Sequence, residues 1–341
     1  LDDDIVVMWT GANTMSAITK EAYEWPKTQT GVDKDLAAWW NYPVNDYCDG
    51  NLMMSPLENL DNDVDNLSGF FLNPMSQAEA SKVAIFSGAD YSWNIGDFER
   101  TSSWKRAIAE LVPEANEAFE RFADNISYIK DGFKFDESRY LVEDITNFQT
   151  ALKNNMGIKE AAEVLKADFT QMKEDVALLR NILLEEITMH LNAYEAVAEA
   201  GIASMNAFIA AQDGIIDDCL TNITQTEIKL NESETYQIES LETNGTKMNV
   251  VKVGEKRIKP LLRDSISQIK DLLMDTVFPQ ANPAVIGTME GIDEVKVIAA
   301  QGNYTINDVA GTLNAGESIG IRLPKAMKVG SIATEIGTAE G

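Results

Sequence analysis

Three short apolar runs dominate the first quarter of the chain: IVVMWTG (Ile5–Gly11), LAAWWNYPV (Leu36–Val44) and LSGFFLNPM (Leu67–Met75). Each is nearly continuous in apolar residues and too short for a helix, the pattern of a strand buried on both faces. The stretches between them are long enough for a helix or an elaborated loop. After the third run, Ser76 followed by Glu79 forms a candidate capping box opening the helix SQAEASKVAIFSGADYSWN. Strand, connection, strand, connection, strand, helix is the rhythm of a parallel α/β sheet or barrel. Three strands do not close a barrel.

From about Glu99 to Asp275 the period changes. Val164/Leu165, Phe169, Met172, Val176, Leu179 and Leu183 advance by threes and fours, an apolar stripe on one long helix. Ile187, Leu191, Tyr194, Ala198, Ile202, Met205 and Ile209 continue a similar spacing, with Gly157 and Gly214 at plausible helix ends. An antiparallel bundle of three or four helices is expected. TYQIESLETNGTKMNVVKVGEKRIKP interrupts it, and Asn244-Gly245 between β-prone flanks predicts a hairpin or structured excursion. Helix resumes at Pro260. Beyond Pro279-Gln280-Ala281-Asn282-Pro283, a linker by composition, DEVKVIAA, GNYTIND, SIGIRLP and KVGSIATEI read as short strands of an incomplete β-sandwich. The expected division is residues 1–112, 113–278 and 279–341.

Composition narrows what such a chain does. Of 341 residues, 45% are hydrophobic and 24% charged, as in a folded globular protein. The formal charge of −27, from 55 acidic against 28 basic residues, repels phosphate backbones, so no nucleic-acid partner is expected. No apolar run has the length of a membrane span. Two cysteines (Cys48 and Cys219) and one histidine (His190) exclude a disulfide framework and a Cys/His zinc site. Glu185, Glu186 and His190 lack the second histidine of a di-metal bundle, so His190 reads as an ordinary helix residue and no metal is expected. Six Asn-x-Ser/Thr sequons (Asn66, Asn125, Asn222, Asn231, Asn244, Asn303) are what chance produces in an Asn-rich chain. The chain opens on Leu1 and Asp2-Asp3-Asp4 directly before an apolar run, as if inside a longer polypeptide, and ends similarly in GSIATEIGTAEG.

In parallel α/β barrels ligands bind where strands end and loops begin. Those ends carry Trp9-Thr10-Gly11, Trp39-Trp40-Asn41 and Asn73-Pro74, with Asp46 in the loop after the second strand. An aromatic face beside amides and a carboxylate suits a sugar, whose C–H face stacks on an indole while its hydroxyls need oriented donors and acceptors. Simpler roles compete. Strand alternation turns Trp40 away from Trp39 into packing, Trp9 fits a core, and Asn73 could cap the turn after it.

These segments, with WWNYPV-x-DY the most specific, resemble the later barrel strands of glycoside hydrolase family 84, the bacterial hyaluronidase-like toxins and O-GlcNAcases. The resemblance covers about the first 110 residues. It implies a multidomain protein: the C-terminal part of a (β/α)8 TIM barrel, then an α-helical bundle, then the start of a discoidin-type carbohydrate-binding β-sandwich. It implies that Trp39 walls the subsite for the N-acetyl group, that Asn41 and Asp46 hydrogen-bond ring hydroxyls, and that Asn73 and Thr10 line the pocket. The family's catalytic Asp-Asp pair lies upstream of the MWTG strand, and Asp2-Asp3-Asp4 stand at that strand's N-terminal end. No catalytic residue is therefore assigned here, and the chain alone is expected to be inactive. The implied activity is removal of terminal β-linked N-acetylglucosamine from glycans or glycoproteins, substrate-assisted and cofactor-free, by a secreted or cell-surface bacterial protein. The family also suggests an aromatic side chain from KDGFKFDESRY (Phe133, Phe135 or Tyr140) at the barrel mouth. The alternative is a non-catalytic carbohydrate-binding or adhesion protein.

Overall fold

A computed structural model describes residues 2, 4–129, 135–180, 185–242, 245–277, 283–292, 295–300, 303–306, 313–323 and 331–333. The three apolar runs form β1 (Met8–Trp9), β2 (Leu36–Pro43) and β3 (Leu67–Asn73), paired in parallel in that order. The first connection contains helix α1 (Lys20–Thr30), started by the Thr19 hydroxyl accepting the Ala22 amide at 3.1 Å and stopped by Gly31 in the left-handed region. The second is a loop whose backbone bridges Ile18 to Leu60.

Helix α2 (Ala78–Trp93) comes after β3, and its beginning departs from the sequence expectation. Gln77, not Ser76, takes the N-cap position and offers no side-chain cap, while Glu79 pairs with Lys82. Glu186, 106 residues further on, accepts the Ala80 amide at 2.9 Å. A remote carboxylate thus satisfies a free helix-terminal N–H that the local box leaves open.

Helices α3 (Arg100–Leu111) and α4 (Asn116–Ala123) lead from this layer into α5 (Val142–Asn154), α6 (Ile158–Leu179), α7 (Thr188–Gln212), α8 (Ile216–Ser233) and α9 (Ile258–Val277). Leu165, Phe169, Met172, Val176 and Leu179 are buried as the stripe predicts, whereas Val164 faces outward; Leu183 lies outside the described residues. Helix α7 packs against α6, α8 and α9, which explains why it is apolar on most of its circumference. Gly201 lets α6 approach closely: a Cβ there would stand 2.3 Å from the Phe169 ring. Gly157 and Gly214, both at positive φ, mark the start of α6 and the α7–α8 turn. Asp175 is wholly buried and takes a bidentate pair from Arg121, at 2.6 and 2.8 Å, tying α4 to α6.

The interruption is an antiparallel hairpin, β4 (Gln237–Glu242) and β5 (Gly245–Val250), with Glu242 opposite Gly245; Asn244 lies outside the described residues. Downstream, β6 (Ala284–Gly287) pairs antiparallel with β9 (Ile319–Arg322), and β7 (Val297–Ala300) with β8 (Asn303–Ile306). Three of the expected strands are present and β6 is additional; most of KVGSIATEI lies outside the described residues. Among the described residues, no helix is long and apolar enough to cross a membrane. Two sequon asparagines, Asn66 and Asn125, are buried and hydrogen-bonded, which removes them as acceptors in the folded chain.

Candidate functional site

The two tryptophans of β2 part company as alternation requires. Trp40 and Tyr42 are fully buried, their rings 4.9 Å apart, with Trp40 6.0 Å from Phe70 and Tyr42 5.0 Å from Phe135. The Trp40 indole donates to the Ser16 carbonyl at 3.1 Å. Trp39 and Asn41 point to the opposite, more open face, where both are half-buried. Trp9 is half-buried and stacks on Trp25 at 6.0 Å, so it packs at the sheet's edge.

On the open face the side-chain amide of Asn41 is clamped from both ends. Its Oδ1 accepts the Trp39 indole N–H at 2.9 Å and Asn73 Nδ2 at 3.2 Å, while its Nδ2 donates to the Thr14 carbonyl at 2.8 Å. An indole donates only, and a carbonyl accepts only, so the amide has one orientation. The register explains the meeting. Trp39 pairs with Phe71, and β2 then shifts by two residues so that Pro43 pairs with Asn73, at the level Asn41 reaches. Asn73 therefore braces Asn41 rather than capping its own turn.

Thr10 comes directly after the Trp9–Ala38 pair, at the level of Trp39, and is half-buried. Asp46 is exposed in the loop after β2, and its carboxylate has no hydrogen-bond or ion-pair partner among the described residues. The structure thus joins Trp39, Asn41 and Asn73 by direct bonds. Thr10 stands on the neighbouring strand and Asp46 on the next loop, neither bonded to the trio. Two participants were not among the sequence candidates, and only the first escapes sequence reading. The Thr14 carbonyl comes from the loop after β1, where Gly11 has φ 94° and a Cβ would lie 2.3 Å from Ser16 Cβ. Phe71, exposed beside Trp39, was legible in principle from the alternation of LSGFFLN.

The other candidates resolve differently. Phe135 is buried against Tyr42 behind β2, and Tyr140 accepts from Asn125 at 2.9 Å inside the bundle, so neither reaches the open face. Phe133 lies outside the described residues. His190 is fully buried; burial holds it neutral, its pKa lowered to about 4. Glu186 is committed to the α2 amide, and the described residues contain no cluster of three His, Cys, Asp or Glu placed for a metal. Burial pushes the Cys48 thiol up to about 12, so this neighbour of Asp46 is no nucleophile. A separate small pocket opens beside Met54, Val83, Leu111, Phe119, Glu79 and Glu186, and includes none of the five expected sugar-site residues.

Residues 1–124 match the family model described as beta-N-acetylglucosaminidase. The resemblance to glycoside hydrolase family 84 carried by the strand ends therefore holds, and the solved structures agree with it. The chain is 27% identical to CpGH84D over 80% of its own length, with a TM-score of 0.74. It is 25% identical to CpGH84B over 78% of its length, with a TM-score of 0.67. An O-GlcNAc hydrolase mutant from Thermobaculum terrenum shares the fold at 20% identity, with a TM-score of 0.65 over 82% of this chain and 57% of its own. The chain spans 46% of CpGH84D and 45% of CpGH84B.

Proposed function

We propose that this chain forms part of a glycoside hydrolase removing terminal β-linked N-acetylglucosamine, and that the open face at the ends of β1, β2 and β3 holds the sugar ring. The observation that carries the reading is the clamped Asn41 amide beside the half-open Trp39 indole. An amide fixed at three points costs little entropy to present its remaining N–H to a hydroxyl. Trp39 offers the ring an apolar wall, Asp46 an acceptor-only carboxylate for hydroxyl donors, and Asn73 and Thr10 complete the rim.

In this reading the parallel sheet is the later part of a (β/α)8 barrel, and the paired strands after Pro283 begin a carbohydrate-binding sandwich. The reaction is substrate-assisted: the acetamido oxygen attacks the anomeric carbon while a carboxylic acid protonates the leaving oxygen, one of the departures from the two-carboxylate scheme. No residue of this chain is assigned those carboxylate roles, so its part is to bind and orient the ring. The whole protein acts outside the bacterial cell on glycans or glycoproteins.

Titration with N-acetylglucosamine, monitored by indole fluorescence, tests the binding role. A saturable change lost in Trp39→Phe and weakened at least tenfold in Asn41→Ala supports it, and an identical response in Trp39→Phe contradicts it. With a chromogenic N-acetylglucosaminide, turnover by the isolated chain well above buffer would refute the division of roles.

A further inference from the structure

The loop carrying Asp46 is tied down from several directions. Asn45 Nδ2 donates to the Asn51 carbonyl at 2.9 Å and to Gln77 Oε1 at 3.1 Å, and Asn51 Nδ2 donates to the Tyr128 carbonyl at 2.9 Å. Two turns inside the loop run from the Cys48 amide to the Asn45 carbonyl (2.9 Å) and from the Asn51 amide to the Cys48 carbonyl (2.8 Å). Gly50 is where this loop meets the rest of the chain. Its carbonyl accepts the Lys252 amide at 2.8 Å, and a Cβ at Gly50 would lie 2.1 Å from the Val250 carbonyl oxygen. His190 Nε2 stands 3.2 Å from the same carbonyl.

The imidazole is an unusual choice for that place. A carbonyl can only accept, so Nε2 carries the hydrogen and Nδ1 is bare. Nδ1 is buried and has no partner among the described residues. Burying an unsatisfied nitrogen is unfavourable, and a phenyl ring would fill much the same space without it. What the imidazole adds is one donated hydrogen bond, aimed at the backbone four residues beyond Asp46.

We propose that His190, on bundle helix α7, is a positioning residue for the Asp46 loop: its Nε2–H holds the Gly50 carbonyl and thereby fixes the turns that present Asp46 to the open face. The role in sugar binding rests on the function proposed above. The same end of α7 also supplies, through Glu186 just before it, the acceptor for the first turn of α2. One segment of the bundle thus fixes both the loop after β2 and the helix after β3. Because burial keeps the ring neutral down to about pH 4, the tie is indifferent to pH across the neutral range.

Amide hydrogen exchange on the full chain tests this, comparing the unaltered protein with His190→Phe and His190→Gln. In His190→Phe the Cys48 and Asn51 amides should exchange about tenfold faster, as expected when a buried hydrogen bond is lost, while Leu191 to Ala198 keep their protection. The Gln side chain has an N–H that can reach the same acceptor, and should restore the loop to within about threefold of the unaltered rate. Unchanged loop exchange in His190→Phe overturns the proposal. So does an equal rise along α7, which would mark lost packing, or a Gln variant as fast as Phe. Should His190→Phe fail to fold, the ring nitrogens of the unaltered protein decide: an Nε2–H tautomer supports the tie and an Nδ1–H tautomer refutes it. Binding of N-acetylglucosamine by the unaltered chain is read separately. Exchange as expected without any sugar binding upholds the positioning and overturns the glycan reading.

Discussion

Replacing Asn41 by aspartate changes one atom of the clamp and reverses the sign of one contact. The new carboxylate would still accept from the Trp39 indole and from Asn73, now 2.9 and 3.2 Å from the amide oxygen. Its second oxygen would face the Thr14 carbonyl, 2.8 Å from the nitrogen it replaces, oxygen against oxygen. One hydrogen bond is lost and an acceptor pair is brought into conflict. A lost bond costs about 1 kcal/mol and an acceptor left facing another about 1–3 kcal/mol. Because the site is half-open and water can enter, a total of about 2 kcal/mol is expected at pH 7. Protonation supplies the missing donor, so the folded-state pKa of the new acid is raised above its unfolded value. Its neutral form fits, and the penalty grows as pH rises through that folded pKa and fades as pH falls. Urea unfolding of Asn41→Asp and Asn41→Ala, each referred to the unaltered protein at pH 7 and at about pH 4.5, reads this out. The aspartate variant should recover most of its deficit at the lower pH, and the alanine variant should not. Equal behaviour of the two at both pH values would refute the geometry of the clamp.

The packing sets three further outcomes. Gly201→Ala drives a methyl into the Phe169 ring, where a Cβ would lie 2.3 Å away, and should cost about 1–3 kcal/mol in bundle stability by thermal unfolding. Arg121→Met leaves the Asp175 carboxylate, wholly buried, without its cation and should cost about 3–5 kcal/mol in denaturant unfolding. Glu137 is buried beside the Lys256 amide, and desolvation raises its pKa from 4.5 to about 8. Its favourable contribution is complete below pH 4.5 and is lost as pH rises through about 8, so Glu137→Gln should flatten the fall in stability over that window; an unchanged slope would contradict the assignment.

How much of this was legible depended on how local the cause was. The strands, the bundle stripe and the β4–β5 hairpin announce themselves through period and turn chemistry, which act over a few residues. The opposite fates of Trp39 and Trp40 come from alternation alone. The start of α2 departs from its local pattern because an acceptor for its first turn comes from Glu186, and no local pattern encodes a partner 106 residues away. The Thr14 and Gly50 carbonyls were invisible for a related reason: every residue has a carbonyl, and only the fold selects which one meets Asn41 or His190. Phe135 shows the limit of composition, since an aromatic residue available for the open face is spent on packing against Tyr42 behind the sheet.

Nuclear magnetic resonance of the chain during titration with N-acetylglucosamine tests the central claim most directly. The Trp39 indole N–H and the side-chain amides of Asn41 and Asn73 should shift together along one saturation curve, with the Trp40 indole unmoved. Shifts confined to other residues, or a Trp40 response equal to that of Trp39, would contradict a sugar site on the open face of β2.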